Sequence, residues 1–269
     1  MAFQTKILSK WSEIHEYARH EWLYRGEHCA GRELKTSLER SCDRHGVPAA
    51  KRRETEDALF REFRRAYHQY ALHPPSEKAV VEWLSLMQHH GAPTRLLDFS
   101  YSLYIAAYFA IEAGDGDCAV WAVHAPWAHQ ESKKLLTCAG KKVERMTKQF
   151  VEGDEAVVQA LCLEAPYVCA AWPINAFRLN ERLRIQEGVF LIPGDVSESF
   201  VNNLKALPGH DLLENVIEIV IPGAERRSAI ENLFQMGISR TSLFPGLDGF
   251  AKSLDVYHPV VHKPVRWEK

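Results

Sequence analysis

Residues 83–111 read WLSLMQHHGAPTRLLDFSYSLYIAAYFAI, and the fold turns on what lies in the middle of this stretch. Upstream, Val80, Leu84 and Met87 recur on one helical face, Ser76 is placed to cap that helix, and Gly91 and Pro93 end it. Downstream, a helix predicted over residues 102–113 carries Leu103, Ala106, Ala107 and Ala110 and stops at Gly114. Its alanines let a sheet approach more closely than larger side chains would. The expected order is helix, connection, helix. The connection, HHGAPTRLLDFS, is rich in hydrogen-bonding side chains, and turn chemistry accounts for roughly half of them. Arg95 and Asp98, three apart, are expected to pair, and Ser100 or Ser102 to cap the second helix, whose open N–H groups would attract an anion. His89 and His90 read as helix-end residues favoured by the dipole, and Tyr101, Tyr104 and Tyr108 as core or rim aromatics.

Before this stretch, Trp11, Ile14 and Tyr17 mark a short helix, and EWLYRG (21–26) a short strand ending at a glycine. A short helix follows in ELKTSLERSCDRHG (33–46). A longer one runs over about residues 54–72, with Leu59, Phe63, Tyr67 and Tyr70 on one side and Arg61, Arg64 and Arg65 decorating it. Beyond Asp117 the period becomes strand-like. CAVWAVH (118–124), GVFLIP (188–193) and VIEIVI (216–221) are predicted strands, residues 125–183 contain one helix and one extended piece, and residues 224–238 form a helix capped by Gly237. A last short helix is expected in LDGFAKSLDVYHP (247–259). The pattern predicts one mixed α+β domain over residues 1–269, helix-rich in its N-terminal half and strand-rich in its C-terminal half.

The 269 residues are enough for a substantial core, and 46% apolar with 25% charged residues is an ordinary globular mixture. A formal charge of −2 supplies no global attraction to nucleic acid or anionic lipid. The six cysteines lack zinc-site spacing and are expected to be reduced thiols. No secretory leader and no membrane-length apolar run is visible, which predicts a cytoplasmic protein that does not enter a membrane. Dinucleotide-binding glycine fingerprints, phosphate loops, zincin motifs and serine-hydrolase elbows are absent, and no metal is expected.

Three clusters are left to carry chemistry. Arg25, between Tyr24 and Gly26 at a strand end, could grip a phosphate or carboxylate bidentately, or sit in a surface salt bridge beside a turn. HHGAPTRLLDFS is the second. The third is NERLRIQEGVFLIP (180–193), read as strand with Gln186 and Glu187 beside a bulge-prone Gly188; either could hold a ribose hydroxyl or steady a cation, or be an edge-strand polar residue.

Together these clusters resemble the FRG family, named for a Phe-Arg-Gly motif and written here Tyr24-Arg25-Gly26. Residues 88–110, QHHGAPTRLLDFSYSLYIAAYFA, are similar to its central signature, with Phe99 in place of the usual Trp and Ser102-Leu103 where Ser-Pro is usual. Residues 184–190, RIQEGVF, resemble a later family segment, and LFPGLDGFAKSL (243–254) its closing stretch, with Asp248 and Gly249 in place. The resemblance covers residues 20–254. The family layout is similar to that of ADP-ribosyltransferases, which implies a split sheet and NAD as substrate, with nicotinamide released and ADP-ribose passed to a protein, a nucleic acid or water. By that resemblance Tyr24, Arg25, Gly26, His90, Thr94, Arg95, Ser100 and Tyr104 bind the nucleotide, and Gln186, Glu187 or Asp98 serves catalysis. Gln186, which matches the family pattern, is neutral and cannot supply charge against an oxocarbenium ion. Glu187 needs a bulge to turn inward, and Asp98 is the other carboxylate. A role in bacterial defence or as a toxin is implied. The alternatives are a nucleotide-sensing module that does not cleave its ligand, and an enzyme directed at nucleic acid through the arginine-bearing helix.

Overall fold

A computed structural model of the chain describes residues 2–141, 143, 154–175 and 181–256. Seven strands form one sheet: β1 (Gln4–Ile7), β2 (Trp22–Glu27), β3 (Leu97–Ser100), β4 (Cys118–His124), β5 (Ala171–Ile174), β6 (Gly188–Pro193) and β7 (Val216–Ile221). Their order is β1-β7-β4-β2-β3-β6-β5; β1 runs parallel to β7 and every other pair is antiparallel. The α+β reading holds, and the strands come from the whole length of the chain: β1, β2 and β3 lie within the first hundred residues.

The helices are α1 (Ser37–Arg44), α2 (Arg52–Ala66), α3 (Val80–His89), α4 (Leu103–Ile111), α5 (Ala125–Cys138), α6 (Asp154–Val158), α7 (Glu181–Ile185), α8 (Phe200–Lys205), α9 (Arg226–Gln235), α10 (Arg240–Leu243) and α11 (Leu247–Val256). Among the described residues none is long and apolar enough to cross a membrane. Strand alternation sorts the core into two layers. Tyr24, Val120, Ala122, Ile217 and Ile219 face α4 and α9, while Leu23, Trp121, Val123, Val189 and Leu191 face α5 and α8. A third cluster joins α3, α6, β5 and β6 around Trp172 and Phe190.

The decisive stretch is helix, strand, helix rather than helix, connection, helix. The backbone reverses at Gly91, whose φ of 81° is left-handed, and the Ala92 N–H returns to the Met87 carbonyl. After Pro93 the chain enters β3, in the interior of the sheet between β2 and β6. Its four residues are too few for alternation to declare a strand, although Leu97 and Phe99 are buried and Asp98 between them is exposed. Ser102, not Ser100, caps α4, and Ser76 caps nothing: Ala79 precedes α3 without a side-chain cap. The segment read as strand at Arg182 to Ile185 is the helix α7, and β6 begins only at Gly188.

Two contacts position β2 and β3. A Cβ at Gly26 would lie 2.1 Å from the Ala106 carbonyl oxygen and 2.5 Å from the Ala110 nitrogen, so only glycine lets α4 lie directly on β2. The alanines of α4 supply the matching surface. Arg95, expected to pair with Asp98, instead points into the core and forms a two-point ion pair with Glu56 of α2. It also donates to the Pro193 carbonyl at the end of β6 at 3.3 Å. Thr94 is buried beside it, donating through its hydroxyl to Gln88 Oε1 and joining α1 through Ser37.

Three outcomes follow from this packing. Gly26→Ala is expected to lower the urea midpoint by an amount equivalent to at least about 1–3 kcal/mol, because rigid backbone occupies the space a methyl would need. Glu56→Ala strands a buried guanidinium and is expected to cost about 3–5 kcal/mol, most of it recovered in the double variant Glu56→Leu/Arg95→Leu; denaturation of both variants checks the pair. Burial pushes the Cys118 and Cys162 thiols up to about 11, so near neutral pH a thiol reagent should label exposed Cys29 and Cys138 in the native protein and reach Cys118 and Cys162 only on unfolding.

Candidate functional site

The β2–β3 ladder holds a single register pair, Tyr24 opposite Ser100, although β2 continues three residues further along β4. Beyond that pair the two strands part, and a cleft of about 820 Å³ opens over the parting. Its floor is Tyr24 to Gly26 from β2 with His28 just beyond that strand, Asp98 to Ser100 from β3, and Gly188 with Phe190 from β6. Ser85, Gln88 and His89 of α3 form one wall, and Ala106 and Phe109 of α4 with Glu112 just after it form the other. Residues 181–183 and Gln186 close one end, together with Arg240, Phe244 and the first turns of α11.

Strand parity decides which side chains serve the cleft. Ser100 lies opposite Tyr24, which packs on the α4 side, and Asp98 lies opposite Phe190 two residues away on the same face. The Asp98 carboxylate therefore stands exposed on the cleft side. Arg25 and Glu27 have the other parity. The Arg25 guanidinium pairs with Glu27 at 2.9 Å and donates to the Asp98 carbonyl at 2.8 Å, replacing the missing rung where the strands separate. Arg40 of α1 is close enough that burial, and then the Arg25 charge, lower its pKa.

Gln186 follows α7. Its carbonyl accepts from the Ser100 hydroxyl at 2.8 Å, its side-chain amide donates to the Leu243 carbonyl at 3.1 Å, and its Oε1 accepts from Arg182 Nε at 3.4 Å. Glu187 does not bulge inward. It takes a left-handed turn, φ 48°, between α7 and β6, and its side chain is exposed outside the cleft. His89 borders the cleft, and burial followed by the neighbouring His90 and Arg182 charges lowers its pKa.

Of the residues singled out from sequence, Tyr24, Arg25, Gly26, Asp98, Ser100 and Gln186 converge on this cleft. Thr94, Arg95, His90, Tyr104 and Glu187 lie outside it. Thr94 and Arg95 are consumed by core contacts, His90 is the exposed residue that ends α3, and the Tyr104 hydroxyl bonds His15 Nδ1 at 2.7 Å. Not singled out as site residues were Gln88, Phe109, Glu112, Arg182, Arg240 and Phe244, although Gln88 and Phe109 lie within the quoted residues 88–110, Arg182 within residues 180–193 and Phe244 within the closing stretch LFPGLDGFAKSL.

The lining is bipolar: Arg25, Arg182, Arg240 and Lys252 face Asp98, Glu112, Glu181 and Asp248. Such a cleft can hold a ligand that carries both negative and positive charge. Among the described residues no group of three or more His, Cys, Asp or Glu side chains could hold a metal ion. The arginines of α2 are largely engaged elsewhere: Arg52 with Asp43, Arg53 with Asp195 and the Tyr167 ring, and Arg64 over Phe60 and Trp83. Arg61 and Arg65, which the nucleic-acid reading invoked together with Arg64, stand exposed on α2.

Comparison with known families matches residues 20–117 to the FRG domain. No curated protein and no solved structure matches the chain. The matched span runs from the approach to β2 through α4 to the residue before β4, and so contributes both strands at the parting and the two helices that wall it. With Tyr24-Arg25-Gly26 in the floor and residues 88–110 crossing the site, the span that matches the FRG domain, residues 20–117, is the one that builds most of the cleft.

Proposed function

We propose that the cleft binds NAD, breaks its nicotinamide–ribose bond and passes ADP-ribose to an acceptor or to water. The observation that carries this reading is the convergence of Arg25, Asp98 to Ser100 and Gln186 on one cleft where β2 and β3 part. This is the arrangement expected from the similarity to ADP-ribosyltransferases. The cleft volume of about 820 Å³ lies within the roughly 300–1,000 Å³ typical of small-molecule sites.

Asp98 is the carboxylate suited to the chemistry. Glu187 faces away, and Gln186 carries no charge. In the reaction the bond from ribose C1′ to the nicotinamide nitrogen breaks, its electron pair leaves with nicotinamide, and positive charge develops on the ribose ring. An exposed carboxylate on the cleft floor stabilises that charge and then accepts the proton lost by the attacking nucleophile. Gln186 hydrogen-bonds a ribose hydroxyl from its tethered position. Arg25 holds the Asp98 backbone from the opposite face of the sheet and so fixes where the carboxylate stands. A second reading, nucleotide binding without cleavage, draws support from the neutral Gln186 and from the tie of its amide to Leu243.

Incubation of the purified chain with NAD, with and without protein or nucleic-acid acceptors, is expected to release nicotinamide. Asp98→Asn should lower kcat by about a hundredfold or more while NAD affinity changes little, and Gln186→Ala should reduce it less. Intact NAD in every reaction of a folded sample would overturn the enzymatic reading; saturable NAD binding in that same sample would establish the second.

A further inference from the structure

Arg182 of α7 and Arg240 of α10 are far apart in sequence, yet both guanidinium groups lie against the Phe244 ring, at 4.8 and 4.6 Å from its centroid. Those two distances bound their separation by their sum, a gap that one diphosphate can bridge. Both arginines line the cleft. An aromatic face attracts a guanidinium without neutralising it, so the cation keeps its charge and the hydrogen-bonding edges of its fork. Arg182 differs in this respect from Arg25, whose charge is already answered by Glu27 at 2.9 Å from its Nε.

The two arginines are also under-satisfied. Arg182 has no carboxylate partner among the described residues, and its Nε makes only a 3.4 Å contact with Gln186. Arg240 pairs with Glu112, but its Nε is buried with no hydrogen-bond acceptor among the described residues, a deficit proteins seldom leave unmet. The wall is tightly built. A Cβ at Gly249 would lie 1.8 Å from the Phe244 carbonyl oxygen, so glycine alone brings the first turn of α11, and with it Lys252, to this end of the cleft.

We infer that Arg182 and Arg240, mounted on Phe244, form a phosphate subsite that takes the diphosphate of a small nucleotide. Glu181 and Asp248 border the same end and oppose a long polyanion, which favours a free nucleotide over a nucleic-acid strand. Arg182 adjoins Gln186, so a diphosphate held here places the attached ribose toward Gln186 and Asp98. That orientation rests on the NAD reading of the cleft, whereas anion capture by the two arginines stands without it.

Titration of the full chain with inorganic pyrophosphate and with ADP, at fixed low ionic strength, tests the subsite. Both are expected to bind saturably, and Arg182→Ala, a change at an exposed side chain that spares the core, should weaken both by about tenfold. Arg240→Lys keeps the charge and the Glu112 pair but loses the planar fork, and should weaken ADP by a smaller factor. No pyrophosphate binding by the folded wild-type chain, or equal binding by Arg182→Ala, would overturn the inference. Displacement of pyrophosphate by a single-stranded oligonucleotide far more readily than by ADP would overturn the small-nucleotide assignment. Arginine-dependent pyrophosphate binding in a chain that leaves NAD intact keeps the subsite and removes the glycosyl transfer; NAD turnover with an unchanged KM in Arg182→Ala does the reverse.

Discussion

The buried ion pair between Arg95 and Glu56 ties together the parts from which the cleft is made. A guanidinium that is only 1% exposed is tolerable only when its charge and N–H groups are met, and Glu56 meets them from α2 while the Pro193 carbonyl does so from β6. This fixes where β3 enters the sheet. With Thr94 held by Ser37 and Gln88, the strand has little freedom to shift in register, and its fourth residue meets Tyr24 of β2 in their one paired position. The parting of β2 and β3 is a consequence of that placement.

Gly26 sets the other side of the parting. Because it carries no side chain, α4 lies on the β2 backbone, and the wall containing Ala106, Phe109 and Glu112 stands directly over the seam. Arg25 then closes the seam from the opposite face, spending its charge on Glu27 and a hydrogen bond on the Asp98 carbonyl. An arginine that sequence alone presents as an anion hook is, in the folded chain, a strut that leaves Asp98 exposed above it. The uncompensated positive charge is displaced to the far end of the cleft, where Phe244 replaces a carboxylate as the partner of Arg182. Carboxylate in the floor and guanidinium at the end give the cleft the polarity of a ligand with a developing cation beside phosphates.

Much of this was legible before any coordinates. Helical spacing located α2, α3, α4 and α9, apolar runs located β4, β6 and β7, and the alanines of α4 signalled close approach to a sheet. The family resemblance brought Arg25, Asp98, Ser100 and Gln186 forward as one site although they are scattered along the chain. Short elements were the weak point. β3 and α7 are four and five residues long, within which helical and strand periods cannot be told apart. On the strand reading Glu187, in play for its charge, needed a bulge to turn inward; its left-handed turn instead sends it outside the cleft.

The amino-acid sequence by itself determined the α+β class, the positions of the longer helices and strands, and the small surface that Ala106, Ala107 and Ala110 offer to a sheet. Those properties depend on local periodicity and side-chain volume, which neighbouring residues reveal. Tertiary structure alone decided which polar groups were left to act. Thr94 and Arg95 disappear into the core and Arg25 into the floor because partners distant in sequence, Gln88, Glu56 and Glu27 among them, claim their hydrogen bonds. Asp98, Arg182 and Arg240 face the cleft because strand parity and one phenylalanine ring hold them there. Such pairings arise between elements brought together by folding, and no local pattern records them.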